Sequence, residues 1–139
     1  MKLSTVYSCS VLEIDKHHNK QGNISVIENG LTVPFDVKRV YYLYDVPGGE
    51  SRAGHAHKEL QQLIVAASGS FDVTLNDGVL KRTFTLNRPY HGLLIVPGIW
   101  REIDNFSSGS VCLVLASTLY DKTDYIRDYQ EFKAFKNEK

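Results

Sequence analysis

The stretch Gly49-Glu50-Ser51-Arg52-Ala53-Gly54-His55-Ala56-His57 guides the interpretation of the whole chain. If it forms a strand, its side chains alternate between the two faces, so His55 and His57 point the same way. Arg52 lies three residues before His55, and the apolar run 63–67 follows. Two imidazoles and a guanidinium at the mouth of a packed sheet indicate a pocket for an anionic, oxygen-rich substrate.

Composition indicates one globular domain over residues 1–139, with 42% hydrophobic and 23% charged residues. The formal net charge is zero and no basic stripe appears, which argues against a nucleic-acid partner. No apolar run has the length of a membrane span, and the N-terminus lacks the apolar core of a signal peptide, so we expect a cytoplasmic protein. Cys9 and Cys112 are expected to be buried free thiols, and no Cys-x-x-Cys zinc motif is present.

About nine short strands separated by turn residues predict an all-β barrel or double-sheet roll. Residues 1–14 alternate weakly and favour either an edge strand or an arm lent to a partner subunit. Helical spacing over residues 121–136 predicts one amphipathic C-terminal helix, with Asp121, Thr123 or Asp124 as its cap. The other predicted strands are the histidine strand, within 49–57, and residues 23–27, 37–44, 63–67, 71–76, 79–86, 92–96, 100–106 and 110–117.

The spacing of Gly49, His55, His57, Gln62 and Gly69 resembles the first cupin motif, with Gln62 where metal-binding cupins carry Glu. The segment from Gly92 to Pro97-Gly98-Ile99-Trp100-Arg101-Glu102 resembles the second motif, with Arg101 in place of its histidine ligand. The resemblance implies a double-stranded β-helix, or jelly-roll, barrel. A fixed guanidinium would repel a divalent cation, so we expect a site without metal or other cofactor, although Glu102 is a conceivable substitute ligand.

A closer resemblance covers nearly the whole chain. The segments that carry it are Lys38-Arg39-Val40-Tyr41-Tyr42, Gly54-His55-Ala56-His57-Lys58, Val96-Pro97-Gly98-Ile99-Trp100, Asn105-Phe106-Ser107-Ser108, and 115–117 with 120–127. Together they resemble the dTDP-4-keto-6-deoxy-glucose 3,4-ketoisomerases, which are relatives of the dTDP-sugar 3,5-epimerases. This implies a dTDP-sugar substrate, a homodimer with exchanged N-terminal strands, and a product that feeds a C3 aminotransferase in deoxyamino-sugar synthesis.

Such an isomerisation removes the proton on C3 and places one on C4 through an enediolate. A histidine, with an ordinary pKa of about 6.5, suits this task. We therefore assign His55 and His57 as the proton-transfer residues. The sequence leaves open which of them abstracts the proton and which one donates.

Several other residues are candidates for substrate contacts. Arg52 and Arg39 suit the diphosphate, because a guanidinium matches phosphate oxygens. Trp100, Tyr41 and Tyr42 are candidates for stacking on thymine or closing the pocket, and equally for the barrel core. The family resemblance links the C4 configuration of the product to positions occupied here by Gln21 and Arg101, and Arg101 favours the gluco product.

Three alternatives remain open at this point. A 3,5-epimerase would use similar base chemistry on the same class of substrate. A non-catalytic cupin would only bind the sugar nucleotide. A metal-dependent dioxygenase is disfavoured by Gln62 and Arg101.

Overall fold

The computed structural model describes residues 2–138, which form two five-stranded antiparallel sheets packed face to face. In each sheet, the strands lie side by side in the following order. The first consists of Ser10–Glu13 (β1), His91–Ile95 (β9), Gln62–Ser68 (β6), Val111–Ala116 (β11) and Arg39–Tyr44 (β4). The second consists of Tyr125–Ile126 (β12), Arg52–His57 (β5), Trp100–Asp104 (β10), Phe71–Asn76 (β7) and Lys81–Leu86 (β8). The predicted all-β jelly roll is confirmed.

Alternating apolar residues produce the core between the sheets. Phe71, Val73 and Leu75 of β7 are fully buried, whereas Asp72 and Thr74 between them are only half-buried. The same alternation on β4 turns Tyr41 inward and leaves Tyr42 59% exposed. A second cluster covers the outer face of the first sheet, where Val33 and Phe35 pack against Leu63 and Val65.

The C-terminal helix is shorter than predicted. It spans Tyr129–Asn137 (α1), with the Asp128 side chain accepting a hydrogen bond from the Gln130 backbone as N-cap. Residues 121–128 are not α-helical. Asp121 caps a separate 3₁₀ turn, Lys122–Asp124, and Tyr125–Ile126 then pairs with β5. Strand pairing along β5 therefore overrides the helical spacing of this segment. Among residues 2–138, no helix has the length and apolar character of a membrane span.

The N-terminal region contains the edge strand that was one of the two predictions for residues 1–14. Val6–Ser8 is a 3₁₀ turn, and β1 then pairs with β9 at the edge of the first sheet (Met1 lies outside the described residues). The predicted strand 23–27 is part of a hairpin, which is formed by Lys16–Asn19 (β2) and Gly22–Ser25 (β3). Every residue of both hairpin strands is exposed.

Candidate active site

A cavity of about 360 Å³ lies between the two sheets and is lined by polar and apolar side chains from both. The first sheet contributes residues of β4, β6 and β11, the second contributes residues of β5 and β10, and the segment after β11 contributes three more. Its polar lining comprises Arg39, Arg52, Arg101, Arg127, Tyr41, Tyr120, Tyr125, His55 and Gln62. Among residues 2–138, four guanidiniums and no carboxylate line the cavity, so it favours an anionic ligand.

A β-bulge in β5 brings Arg52 and His55 to the same cavity. His55 is paired with Arg101 of β10 and Arg52 with Ile103, so β5 holds one more residue than its partner over this interval. In a regular strand, residues three apart face opposite sides, whereas an extra residue reverses the alternation. The bulge includes Ala53, whose φ of 82° is rare for a residue with a side chain.

His55 borders the cavity as a neutral base. Its Nδ1–H donates to the carbonyl of Ala53. The lone pair is therefore on Nε2, which is buried and has no partner within residues 2–138. Burial and, to a lesser degree, the positive charge of Arg101 lower the pKa of His55 to about 3. The imidazole is therefore neutral at physiological pH in the ligand-free cavity.

His57 lies behind His55 and does not line the cavity. It is fully buried, and its ring meets that of His55 edge-on at 4.8 Å between centroids, which confirms that both face the same side. Its Nδ1 lies 3.1 Å from an Asp124 carboxylate oxygen, while Nε2 has no partner in the described chain. Burial, followed by the charge of Arg101, lowers its pKa. The contact with Asp124 opposes that shift and fixes the proton on Nδ1.

Asp124 is held by the segment that directly follows the histidine strand. Its carboxylate accepts the backbone N–H of Glu59 at 2.8 Å and that of Leu60 at 3.3 Å. In return, the backbone N–H of Lys58 donates to the Asp124 carbonyl at 3.0 Å. These bonds position the carboxylate for His57 independently of solvent.

Arg101 connects the two sheets at the base of the cavity. It is 1% exposed and donates through Nη1 to Gln62 Oε1 at 2.6 Å, and through Nε and Nη2 to the Ile99 carbonyl. Burial lowers its pKa to about 10, so it remains charged at neutral pH. The Gln62 amide in turn donates to Tyr41 Oη at 3.0 Å.

This donor set does not fit a divalent cation. Gln62 has one metal-binding oxygen, and the Arg101 guanidinium already occupies it and repels a cation. Glu102 is exposed and alternates with buried Arg101 along β10, so it does not replace the missing ligand. Within residues 2–138, no three His, Cys, Asp or Glu side chains are grouped as a metal site.

Three of the sequence candidates lie away from the cavity. Trp100 is 6% exposed and packs under the helix against Tyr129 and Phe132, so its interpretation as a stacking residue does not fit this structure. Tyr42 points outward, and Gln21 lies in the exposed β2–β3 turn. Neither lines the cavity of its own chain.

The sequence interpretation missed four functional candidates between β11 and the helix. Tyr120, Tyr125 and Arg127 line the cavity, and Asp124 binds His57. The Arg127 guanidinium lies 4.3 Å from the centre of the Tyr125 ring, which also packs against both histidines. If residues 124–127 had been predicted as a strand rather than as part of a helix, Tyr125 and Arg127 would have been expected to share a face.

Comparisons with known proteins agree with this geometry. Residues 7–137 match the family model described as FdtA: WxcM-like, C-terminal. The chain is 44% identical over 125 residues, 90% of each protein, to a TDP-4-oxo-6-deoxy-alpha-D-glucose-3,4-oxoisomerase of Aneurinibacillus thermoaerophilus.

Two solved structures show the same likeness in three dimensions. One is a histidine-to-asparagine mutant of the 3,4-ketoisomerase QdtA from Thermoanaerobacterium thermosaccharolyticum in complex with TDP-4-keto-6-deoxyglucose. The two structures match with a TM-score of 0.91 and 37% sequence identity, and the match covers 94% of each chain. The other is the WlaRB TDP-quinovose 3,4-ketoisomerase of Campylobacter jejuni, with a TM-score of 0.89 at 43% identity over 93% of this chain and 99% of that one. The chain therefore belongs to the FdtA family of WxcM-like C-terminal domains.

Proposed function

We propose that this protein is a sugar-nucleotide 3,4-ketoisomerase that converts dTDP-4-keto-6-deoxy-D-glucose to a dTDP-3-keto-6-deoxy-hexose without a metal. The observation that carries the proposal is the neutral His55, whose free Nε2 lies at the wall of a cavity with four guanidiniums. The named relatives act on, or are bound to, TDP-linked sugars of this type.

Three of the four arginines are assigned to the diphosphate. Arg52, Arg39 and Arg127 line the cavity, whereas the donors of Arg101 are committed to Gln62 and Ile99. The Arg39 guanidinium lies between the rings of Tyr41 and Tyr120, and its buried Nε has no partner in the described residues. Aromatic contacts hold a guanidinium in a defined plane, which suits bidentate contact with phosphate.

His55 is assigned as the base. Its Nε2 takes the proton from C3, and the C–H electron pair forms the C3=C4 bond while O4 becomes an oxyanion. The same Nε2 then returns a proton to C4, while the O3 hydroxyl gives up its proton to the O4 oxyanion and the carbonyl forms at C3. A base with a pKa near 3 is weak, but a bound diphosphate neutralises Arg127, whose positive charge contributes to the low value, and so raises the pKa of His55.

The test is incubation with dTDP-4-keto-6-deoxy-glucose in D₂O, followed by NMR. A ketone at C3 with deuterium at C4 supports the proposal. Exchange at C5 instead would identify a 3,5-epimerase, and the absence of any exchange would identify a binding protein. His55→Asn should abolish turnover, whereas His17→Asn in the exposed hairpin should not affect it.

We also propose the gluco configuration for the product, because position 101 is arginine rather than histidine. The chain is 43% identical to the TDP-quinovose enzyme, and quinovose is 6-deoxyglucose. NMR coupling constants at C4 of the product test this assignment directly. Arg101→His should yield some of the galacto product, and an unchanged configuration would exclude residue 101 as the determinant.

A homodimer is the proposed assembly. Tyr42 and Tyr44 on the outer face of β4 are 59% and 60% exposed, and Ile24 on the solvent-exposed hairpin is 64% exposed. A second copy of the chain would cover this apolar surface. Light scattering should give the dimer mass for the wild type and a monomer mass for Tyr42→Asp; a monomeric wild type would refute the assembly.

We propose a cytoplasmic location, since Cys9 and Cys112 are both unpaired and buried.

A further inference from the structure

The cavity has two levels of opposite chemical character, and the pleat of the strands produces both. Tyr41, Gln62 and Arg101 are joined by hydrogen bonds in the polar level. On each of their strands, the next residue that faces the same way lies two positions further on, and it is aliphatic. These aliphatic residues, which also line the cavity, are Leu43 on β4, Ile64 on β6 and Ile103 on β10.

Val114 of β11 completes the aliphatic level, since it lines the cavity and is paired directly with Ile64. Val114, Ile64 and Ile103 are at most 2% exposed and belong to the hydrophobic cluster between the sheets. In contrast, Arg52 and Arg127 are exposed members of the cavity lining and mark its mouth. The aliphatic level is therefore the inner end of the cavity. We call it the aliphatic floor, which consists of Leu43, Ile64, Ile103 and Val114.

The aliphatic floor cannot replace the hydrogen bonds that a ligand hydroxyl makes with water. Its side chains have no polar atom. The backbone groups of Ile64, Ile103 and Val114 belong to β6, β10 and β11, each of which is paired with a strand on both sides. A hydroxyl placed against this surface is desolvated without compensation, whereas a methyl group gains from leaving water.

Only one substituent of the sugar ring suits such a surface, and this step rests on the proposed function. The ring of a 4-keto-6-deoxy-hexose carries oxygens at every position except C5, which carries the C6 methyl group. C5 is bonded to C4, so the methyl group lies next to the reacting carbons at His55. The diphosphate is on C1, across the ring from C4, and points towards the arginines at the mouth. We propose that the aliphatic floor holds the C6 methyl group and thereby selects 6-deoxy sugars over sugars with a C6 hydroxyl.

The expected selectivity is moderate. A hydrophobic pocket rejects an analogue that adds one hydroxyl by about 10²-fold, because the penalty is the loss of hydrogen bonds rather than a steric clash. Loss of the methyl group itself, as in a pentose, is worth about 10- to 200-fold. The protein should therefore discriminate against both kinds of sugar nucleotide.

The binding test uses dTDP-6-deoxy-glucose and dTDP-glucose, which differ only in the C6 hydroxyl. Neither sugar has a ketone, so neither is isomerised, and both can be titrated into the wild-type protein by calorimetry. The 6-deoxy sugar should bind about 10- to 100-fold more tightly. Equal dissociation constants would overturn the inference. This comparison requires no substitution, so it decides the matter even if a variant does not fold.

Val114→Thr locates the selectivity in the aliphatic floor. Threonine has nearly the shape of valine and offers the C6 hydroxyl a partner, so the ratio of the two dissociation constants should move towards one. Ile64→Thr, on the neighbouring strand, should have the same effect. The matched control is Val73→Thr, at a fully buried position of the same hydrophobic cluster that does not line the cavity, and it should keep the wild-type ratio.

The outcomes separate this inference from the proposed function. A wild-type ratio in both Val114→Thr and Ile64→Thr, or an equal change in Val73→Thr, would overturn the role of the aliphatic floor. Failure of the wild type to isomerise dTDP-4-keto-6-deoxy-glucose would overturn the proposed function, but the two ketone-free sugars would still report whether the cavity selects the methyl group.

Discussion

Acidification should destabilise the fold through His55. The imidazole is 8% exposed and faces two cations, Arg101 and Arg127, and the rings of His57 and Tyr125. Its pKa is about 3 in the folded chain, against 6.5 as the ordinary value. The unfolded chain therefore binds more protons, and stability is lost as the pH falls from about 6.5 towards 3.

The size of the effect follows from the linkage between proton binding and folding. Each pH unit costs about 1.4 kcal/mol once the unfolded histidine is protonated and the folded one is not. Between pH 6.5 and 4.5, His55 alone should lower the free energy of unfolding by about 2 kcal/mol. This corresponds to a drop of about 1 M in the urea midpoint.

Trp100 provides the assay, because it is the one tryptophan of the chain and is 6% exposed under the helix. Urea unfolding of the wild type and of His55→Asn is followed by its fluorescence at both pH values. The stability of the wild type relative to the variant should fall by about 2 kcal/mol on acidification. A difference between the two proteins that does not change with pH would refute the burial of a neutral His55.

Three further predictions concern the strands and helix around the histidines. Asp124→Asn should lower kcat by about 10²- to 10⁴-fold, since the amide no longer fixes the proton on His57 Nδ1. Steady-state kinetics would measure this change, and a loss of kcat below threefold would exclude a role for the carboxylate. Ala53→Gly should not lower the free energy of unfolding, because glycine adopts positive φ without strain. Ala56→Gly in the same strand should lower it by about 1 kcal/mol, and equal losses in urea titrations would contradict the strain at the bulge. Phe132→Ala should destabilise by about 3–5 kcal/mol by emptying the site beneath the helix, and calorimetry showing an unchanged Tm would contradict that packing.

Part of the fold and part of the candidate site follow from patterns within short stretches of the sequence. Period-two alternation predicted β7 and the common face of His55 and His57, because one side of each strand is buried. The match between a guanidinium and phosphate oxygens made Arg39 and Arg52 candidates, and both line the cavity. Local rules could not predict the bulge at Ala53, because alanine rarely adopts a positive φ and the adjacent Gly54 does not adopt one.

The C-terminal segment was misinterpreted for a tertiary reason. Residues 121–128 carry a helical spacing, but Tyr125 and Ile126 gain backbone pairing with His57 and Ala56 of β5. Trp100 was a candidate for base stacking and equally for the core, and the aromatic partners that the helix provides account for its burial. In both cases the competing contact comes from a distant part of the chain, and no window of local sequence contains it.

The contact between His57 and Asp124 has a consequence for the order of events during synthesis. The two residues are 67 positions apart, and all four site candidates missed by the sequence lie at or after residue 120. A nascent chain that ends at residue 119 holds both imidazoles and nearly every strand, but lacks the carboxylate, β12 and Arg127. The barrel can begin to fold on the ribosome before it has a working site, so that catalytic activity reports the arrival of this late segment.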